Sequence, residues 1–196
     1  MDGPGTITWE EFLEDARHFL RISAKISDNW ELQGNKGELG GAYLMRRGKV
    51  FVPTSTAPQL PVANEECDFN LQEDPFEATS TTERPLLTEH HILWSMSYGV
   101  PVLYFNGWFS DFPGVNSISV EEAQILVPGG DLHYMELSQA IHPILRSPFL
   151  QLHPCMSQEL LQITNKSKNK LVSWLSMMAP AALGLKLSTE YCVLTI

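Results

Sequence analysis

The stretch HHILWSMSYGVPVLYFNGWF, residues 90–109, carries the strongest structural pattern of the chain. It holds two runs rich in β-branched and aromatic residues, His90 to Tyr98 and Val100 to Phe109, and such runs are typical of strands. The first run alternates, which predicts one strand face formed by Ile92, Trp94, Met96 and Tyr98. We interpret Gly99-Val100-Pro101 as a tight turn that joins the two runs into an antiparallel pair.

Shorter strand signals precede this pair and predict a meander. Trp30 to Leu32 leads into a glycine-rich turn, Gly34 to Gly41. Ala42 to Met45 and Val50 to Val52 then flank a basic segment, Arg46-Arg47-Gly48-Lys49, which is predicted to be the exposed tip of a hairpin.

Two helices are predicted at the ends of the chain. Thr8 and Glu11 have the spacing of a capping box, in which each side chain satisfies a backbone amide of the first turn. The second helix, Lys170 to Met178, has apolar residues at helical spacing and stops before Pro180.

The segment of residues 53–89 is rich in Pro, Ser, Thr and acids, and residues 65–89 hold eight acids and a single arginine. It is too polar to bury, so we expect a long loop or a disordered insertion. Ser119 and Glu122 form a second capping box for a short helix, whereas residues 131–150 carry no decisive pattern.

The 196 residues predict a single domain, residues 1–196, of the α+β class, an antiparallel meander flanked by N-terminal and C-terminal helices. A net charge of −10 disfavours binding of nucleic acid. The acidic N-terminus and the lack of a long apolar run indicate neither a signal peptide nor a stable insertion into a membrane. Three widely spaced cysteines argue against a disulfide framework and fit a cytoplasmic protein.

The segment His153-Pro154-Cys155 is the sharpest chemical feature of the chain. Proline removes an amide donor and restricts its predecessor, so this segment is predicted to be an ordered loop. Ser157 is expected to cap a short helix directly after it. A cysteine in such a loop is a candidate nucleophile, and the competing interpretation is an inert core thiol.

Two polar residues near the end of the second strand could serve a reaction at that thiol. The amide of Asn106 could donate to an oxyanion, with Tyr104 as a positioning residue, although ordinary turn chemistry also explains an asparagine there. His90 and His91 beside Glu89 could suggest a metal. Neighbours in a strand point to opposite faces, however, and no third ligand has metal spacing, so we expect structural histidines.

In their order along the chain, these segments resemble the ubiquitin-like-conjugating enzymes of autophagy, from about Trp9 to about Leu187. The motifs that carry the resemblance are Pro101 to Phe105, His142-Pro143, Pro148-Phe149, His153-Pro154-Cys155 and Ser173-Trp174-Leu175. Two members of that family share the His-Pro-Cys signature. The short chain, Trp30 and the Tyr43-Leu44 region look more like one of the two.

The resemblance implies a variant of the ubiquitin-conjugating fold, with an N-terminal helix, a four-stranded antiparallel meander, a cysteine loop and a C-terminal helix. It implies that Cys155 accepts the modifier autophagy-related protein 12 as a thioester from the activating enzyme, autophagy-related protein 7. The modifier then passes to a lysine of autophagy-related protein 5. Neither a cofactor nor a metal is implied.

Within that reaction, Cys155 needs exposure and some thiolate, whereas transfer to lysine also needs a donor for the oxyanion. We expect Asn106 to be that donor with Tyr104 positioning, and His153 to shape the loop or polarise the thiol. The chain departs from ordinary ubiquitin-conjugating enzymes because no asparagine follows His142-Pro143. Residues 114–140 also do not closely follow the family.

Two other functions stay open at this point. One is a cysteine hydrolase that uses Cys155, a histidine and Asn106, although His153 is separated from Cys155 only by a proline, which is a poor geometry for a catalytic pair. The other is a catalytically silent docking module of the same fold.

Overall fold

The computed structural model describes residues 5–53, 83–109, 117–126 and 137–196. Within them the chain forms a six-stranded sheet in the order β1-β2-β3-β4-β6-β5, with antiparallel neighbours throughout. The strands are β1 Glu31–Gly34, β2 Ala42–Pro53, β3 Glu83–Ser95, β4 Val100–Trp108, β5 Leu137–Ile141 and β6 Pro148–Leu152. The helices are α1 Trp9–Ile26, α2 Val120–Leu126, α3 Ser157–Ile163 and α4 Lys170–Met178. None of these helices is long and apolar enough to cross a membrane.

Helix α1 begins at the predicted capping box. The Glu11 amide donates to the Thr8 hydroxyl at 3.1 Å, and the Thr8 amide donates to the Glu11 carboxylate at 2.8 Å. Its buried side, which includes Phe12 and Phe19, packs into the core against the sheet. The α+β class with helices at both ends is therefore confirmed.

Helix α4 has the predicted bounds, and its first turn is bonded to α1. Asn169 caps it by accepting from the Val172 amide at 2.8 Å, while its own side-chain amide donates to the backbone oxygen of Asp15 at 3.0 Å. The Asp15 carboxylate accepts a hydrogen bond from the Leu171 amide at 3.1 Å. Burial raises the pKa of Asp15 to about 6. These bonds hold the two helices together over one face of the sheet.

The predicted basic turn is wrong, because Arg46-Arg47-Gly48-Lys49 lies in the middle of β2. The segment pairs with β3 in continuous register, from Arg46 opposite His90 to Lys49 opposite Leu87. Two of its charges are paired with acids distant in sequence, since Arg46 lies 2.8 Å from Asp28 and Arg47 lies 2.6 Å from Glu89. A run of exposed basic residues is typical of a turn as well as of the solvent face of a strand. Here pairing with the long strand β3 keeps the backbone of these residues extended.

The predicted loop is also wrong at its C-terminal end. Residues 83–89 form the first half of β3, where they pair with residues 47–53. The remainder, residues 54–82, lies outside the described residues, so the assignment of residues 1–196 to a single domain with an insertion stays a prediction.

The turn between β3 and β4 comes earlier than predicted. It spans residues 96–99, and Val100 and Pro101 already pair with β3. Met96 and Tyr98 are consequently exposed in the turn rather than part of a strand face. Gly99 has a positive φ of 61°, which suits its place at the end of this turn.

The undecided segment 131–150 contributes a β-hairpin. Strands β5 and β6 pair with one another, and β6 adds to the free edge of β4 with Tyr104 opposite Gln151 and Phe105 opposite Leu150. In the described part of the chain the sheet therefore has six strands rather than the four implied by the resemblance. This addition matters for function, because β6 leads directly to Cys155.

Candidate active site

Cys155 lies in a single 3-10 turn, Pro154–Met156, between β6 and α3. His153 caps this turn, and its Nδ1 accepts from the Cys155 amide at 3.2 Å. Pro154 is buried, whereas Cys155 is exposed. The backbone around the thiol is thus fixed while the sulfur remains open to another protein.

Helix α3 is anchored by a bond that the sequence analysis missed. Ser157 was predicted to cap this helix, and that prediction is wrong, since Met156 is the cap residue and makes no side-chain bond. The fully buried Ser157 hydroxyl instead accepts from the indole nitrogen of Trp174 at 2.9 Å. A buried indole usually has a hydrogen-bond acceptor. The sequence could not identify Ser157 as that acceptor, because the spacing of Trp174 in α4 indicates only that its side chain lies in the core.

The N-terminal residues also fix the cysteine segment. A Cβ on Gly5 would lie 2.4 Å from the backbone oxygen of Gln158 in α3, and Gly5 has a φ of +100°, so glycine is required on both counts. Two residues on, the Ile7 amide donates to the Gly99 oxygen and the Ile7 oxygen accepts from the Trp94 indole, both at 2.8 Å. The segment thereby ties the β3–β4 turn to α3.

The strand register separates the two predicted polar residues of β4. Because β4 and β6 are antiparallel, Tyr104 lies level with Gln151, whereas Asn106 lies further from the Cys155 end of β6. At about 3.3 Å per residue, two more residues put Asn106 roughly 7 Å further away along the strand than Tyr104. Its side-chain amide donates to the Pro148 oxygen at 3.3 Å, at the start of β6. Asn106 therefore lies beside the start of β6 rather than beside its Cys155 end.

Tyr104 is buried and forms part of a cleft of about 540 Å³ on the sheet face opposite α1 and α4. Burial raises the pKa of its phenol, so the side chain is neutral at physiological pH. Val102, two residues nearer the Cys155 end, continues the cleft wall, and Ile144 lines it from the β5–β6 loop. The exposed Met96 lies at the rim.

His90 and His91 project to opposite faces of β3, as predicted. His90 Nε2 lies 2.8 Å from the Ala182 oxygen on the helix side, and burial lowers the pKa of His90 to about 4. His91 contacts His142 on the other face. Within the described ranges, no group of three histidine, cysteine or acidic side chains is placed to hold a metal ion.

The chemistry available at this site is that of an exposed thiol. Neither His153, which uses Nδ1 for the turn, nor the fully buried His142 is hydrogen-bonded to the thiol of Cys155 in the described part of the chain. An antiparallel sheet packed against helices, with the cysteine on a rigid turn after the last strand, defines a ubiquitin-conjugating-type fold. Such a thiol can carry an acyl group, because exchange between thioesters needs no triad.

The comparisons with known proteins agree with this class. The family model described as autophagocytosis associated protein, active-site domain, matches residues 11–188. The human ubiquitin-like-conjugating enzyme ATG10 is 32% identical over 199 residues, which cover 90% of this chain and 88% of the human protein. The Arabidopsis thaliana enzyme of the same name is 26% identical over 168 residues, covering 72% of each chain.

The chain therefore belongs to the autophagocytosis associated protein family, and it is a ubiquitin-like-conjugating enzyme of autophagy. A third relative, ATG10 of Dictyostelium discoideum, is 33% identical over 116 residues, about half of each chain. The predicted family and the predicted enzyme class are both confirmed.

Proposed function

We propose that Cys155 carries autophagy-related protein 12 as a thioester, received from autophagy-related protein 7, and passes it to a lysine of autophagy-related protein 5. The observation that carries the proposal is the exposed cysteine on a turn whose backbone is held by His153. The human and Arabidopsis thaliana enzymes named ATG10 support the choice of pathway, since their matches cover 90% and 72% of this chain.

The reaction has two steps, and a thiolate is the leaving group in both. In the first step, the Cys155 thiolate attacks the carbonyl carbon of the modifier's thioester, and the cysteine thiolate of the activating enzyme leaves. In the second step, a neutral lysine amine attacks the new thioester, Cys155 leaves as thiolate, and the amine loses a proton as the amide forms. Neither step requires a cofactor.

The residues around the thiol take different parts in this proposal. His153 is a positioning residue, because its ring nitrogen is used to hold the turn. Tyr104, in the middle of β4, forms part of the cleft wall. The oxyanion role of Asn106 stays a prediction, and the bond to Pro148 and the register weigh against it.

We propose that the reaction takes place in the cytoplasm, where thiols stay reduced. This placement is supported by the odd number of cysteines and their wide spacing in the sequence.

A non-reducing gel tests the proposal. The chain is mixed with autophagy-related protein 7, ATP and autophagy-related protein 12, and we expect a new band that disappears with a reducing agent. Cys155→Ser should give a band that resists the reducing agent, since an oxyester replaces the thioester. Cys192→Ser, at the second exposed cysteine among the described residues, is the matched control and should charge normally.

Two results would contradict the proposal. If Cys192→Ser abolishes the thiol-sensitive band while Cys155→Ala retains it, the modifier is carried by Cys192 rather than by Cys155. If charging occurs only with a different modifier, the chemistry stands and the partner is wrong.

A further inference from the structure

A short N-terminal strap, residues 5–8, runs past the β3–β4 turn between the start of α3 and the start of α1. Its first residue, Gly5, is buried against Gln158, the second residue of α3. Its last residue, Thr8, is the cap of α1. The strap therefore joins the first helix of the chain to the helix that directly follows the Cys155 turn.

The middle of the strap is fixed by the sheet. Ile7 is 2% exposed, and both of its backbone groups are used, the amide by the Gly99 oxygen and the oxygen by the Trp94 indole. Thr6 packs on the same turn, since a Cβ built on Gly99 would lie 3.4 Å from the Thr6 Cβ. These contacts set the position of Gly5 relative to the sheet.

The contact between Gly5 and α3 leaves no space for a side chain. A Cβ on Gly5 would lie 3.0 Å from the Gln158 Cγ and still closer to the Gln158 backbone oxygen. The Gln158 side chain is exposed and can turn away, whereas its backbone oxygen belongs to the first turn of α3. Because the strap is held by the sheet, an added atom would have to displace that first turn.

A displacement of the first turn of α3 would reach the thiol within three residues. Cys155 lies directly before this helix, in the turn Pro154–Met156. The Cys155 amide is held by its bond to His153 Nδ1, and the end of the turn is held by the bond from the Ser157 amide to the Pro154 oxygen. Movement of α3 acts first on these two bonds.

We propose that Gly5 is a positioning residue for thioester transfer, which acts through the first turn of α3 to hold the Cys155 turn in its reactive geometry. Attack on a thioester requires the sulfur to be aligned with the carbonyl carbon, so a shift of the turn slows the chemical step. It leaves the affinity for the activating enzyme unchanged. This inference rests on the proposed role of Cys155 as the carrier of the modifier.

Gly5→Ala in the full chain tests the proposal, with Gly34→Ala as the matched control. A Cβ on Gly34 would lie 2.3 Å from the backbone oxygen of Gly41, and the φ of Gly34 is +89°, so both variants introduce the same kind of strain. Gly34 lies in β1, which is four strand spacings, roughly 19 Å, from β6. A general loss of stability affects both variants, whereas only Gly5→Ala disturbs the Cys155 turn.

The first readout is the rate of thioester formation in a single turnover, with the charged activating enzyme in excess. For Gly5→Ala we expect the rate at saturation to fall about tenfold or more, while the half-saturating concentration of activating enzyme stays within about twofold. Gly34→Ala should keep both values within about twofold of the wild type.

The second readout is hydrogen exchange of the Cys155 amide, measured by NMR without any partner protein. This amide is held by one bond to a side chain in an exposed turn, so it exchanges through local opening of the turn. We expect exchange to be about tenfold faster in Gly5→Ala and to change by less than about twofold in Gly34→Ala.

Trp94→Phe tests the strap without an added atom, and it replaces Gly5→Ala if that variant does not fold. It removes the indole bond to the Ile7 oxygen, so the rate at saturation should fall and the amide exchange should rise, each by about threefold. Trp30→Phe is its control, since the Trp30 ring is buried against Phe19 with centroids 5.4 Å apart, and it should change neither value.

The proposal is overturned if Gly34→Ala slows charging as much as Gly5→Ala, or if only the half-saturating concentration changes. It is also overturned if the Cys155 amide of Gly5→Ala exchanges at the wild-type rate. A wild-type chain that accepts no modifier from the activating enzyme would instead contradict the proposed function, and the amide exchange would still decide whether Gly5 holds the turn.

Discussion

His142 Nε2 lies 3.1 Å from His91 Nδ1, although the two residues are 51 positions apart. His142 Nδ1 accepts from the amides of Ile144 and Leu145, so the neutral His142 ring carries its proton on Nε2 and donates it to His91. His91 then carries its own proton on Nε2, which lies 3.1 Å from the Glu89 carboxylate. This chain of contacts attaches the β5–β6 loop to β3, directly before the strand that leads to Cys155.

We expect His142→Ala to lower the free energy of unfolding by about 1–3 kcal/mol, because it leaves the two loop amides and His91 Nδ1 without partners. Urea denaturation measures the change. His18→Ala, at a more exposed histidine of α1, should change stability by less than about 0.5 kcal/mol. A double-mutant cycle with His91→Ala should show strong non-additivity, and simple addition of the two losses would contradict the pairing.

Stability should fall as the pH is lowered from about 6.5 to 4. Burial lowers the pKa of His90 and His142 to about 4 from 6.5, so the unfolded chain takes up protons in this window that the folded chain does not. Asp15 opposes this effect, because burial raises its pKa to about 6 from 3.8 and the folded chain takes up a proton first. Glu89 adds to the loss near the acidic end of this range, because the bond from His91 lowers its pKa to about 2 from 4.5. With three groups against one, the net change is a loss of stability.

Urea midpoints measured between pH 7 and 4.5 check this prediction, with a slope of at most about 1.4 kcal/mol per pH unit for each net proton. His90→Gln should flatten the slope, because it removes one of the two histidines whose pKa is lowered by burial. A stability that rises on acidification over the same range would show that Asp15 dominates instead.

Removal of the Ser157 hydroxyl should destabilise the contact between α4 and the start of α3, the helix that follows Cys155. Ser157→Ala leaves the buried Trp174 indole without an acceptor, at a cost of about 1–3 kcal/mol. Because α3 begins at this residue, we also expect slower thioester formation in a charging assay. Ser176→Ala, at an exposed serine of α4, is the control, and equal losses in both variants would refute the role of the indole bond.

Asn106→Ala should leave thioester formation intact and slow discharge to lysine by less than about tenfold. The reason is that the amide is bonded to the Pro148 oxygen and lies away from Cys155. Single-turnover discharge of the charged enzyme onto its target measures the effect. A loss of about a hundredfold or more, the size found for oxyanion donors, would establish the sequence-based assignment of Asn106.

The local parts of the fold could be predicted because they depend on residues close in sequence. Both capping boxes, the bounds of α4 and the glycine-rich β1–β2 turn follow from side chains that bond within three or four residues. The prediction of a turn at residues 46–49 of β2 failed because the structure of these residues depends on partners far away in the sequence. Arg46 and Arg47 look like an exposed turn until their partners, Asp28 and Glu89, are brought to them by the fold.

The amino-acid sequence by itself determined the class of the fold, the first residues of α1 and α2, the bounds of α4 and the ordered segment at Cys155, since proline geometry and capping bonds act over a few residues. Only the tertiary structure decided the order of the six described strands, the pairing of His91 with His142 and the bond of Asn106 to the Pro148 oxygen. Those depend on strand register and on burial shared by residues far apart in the chain, and no local pattern encodes which distant residue becomes the neighbour.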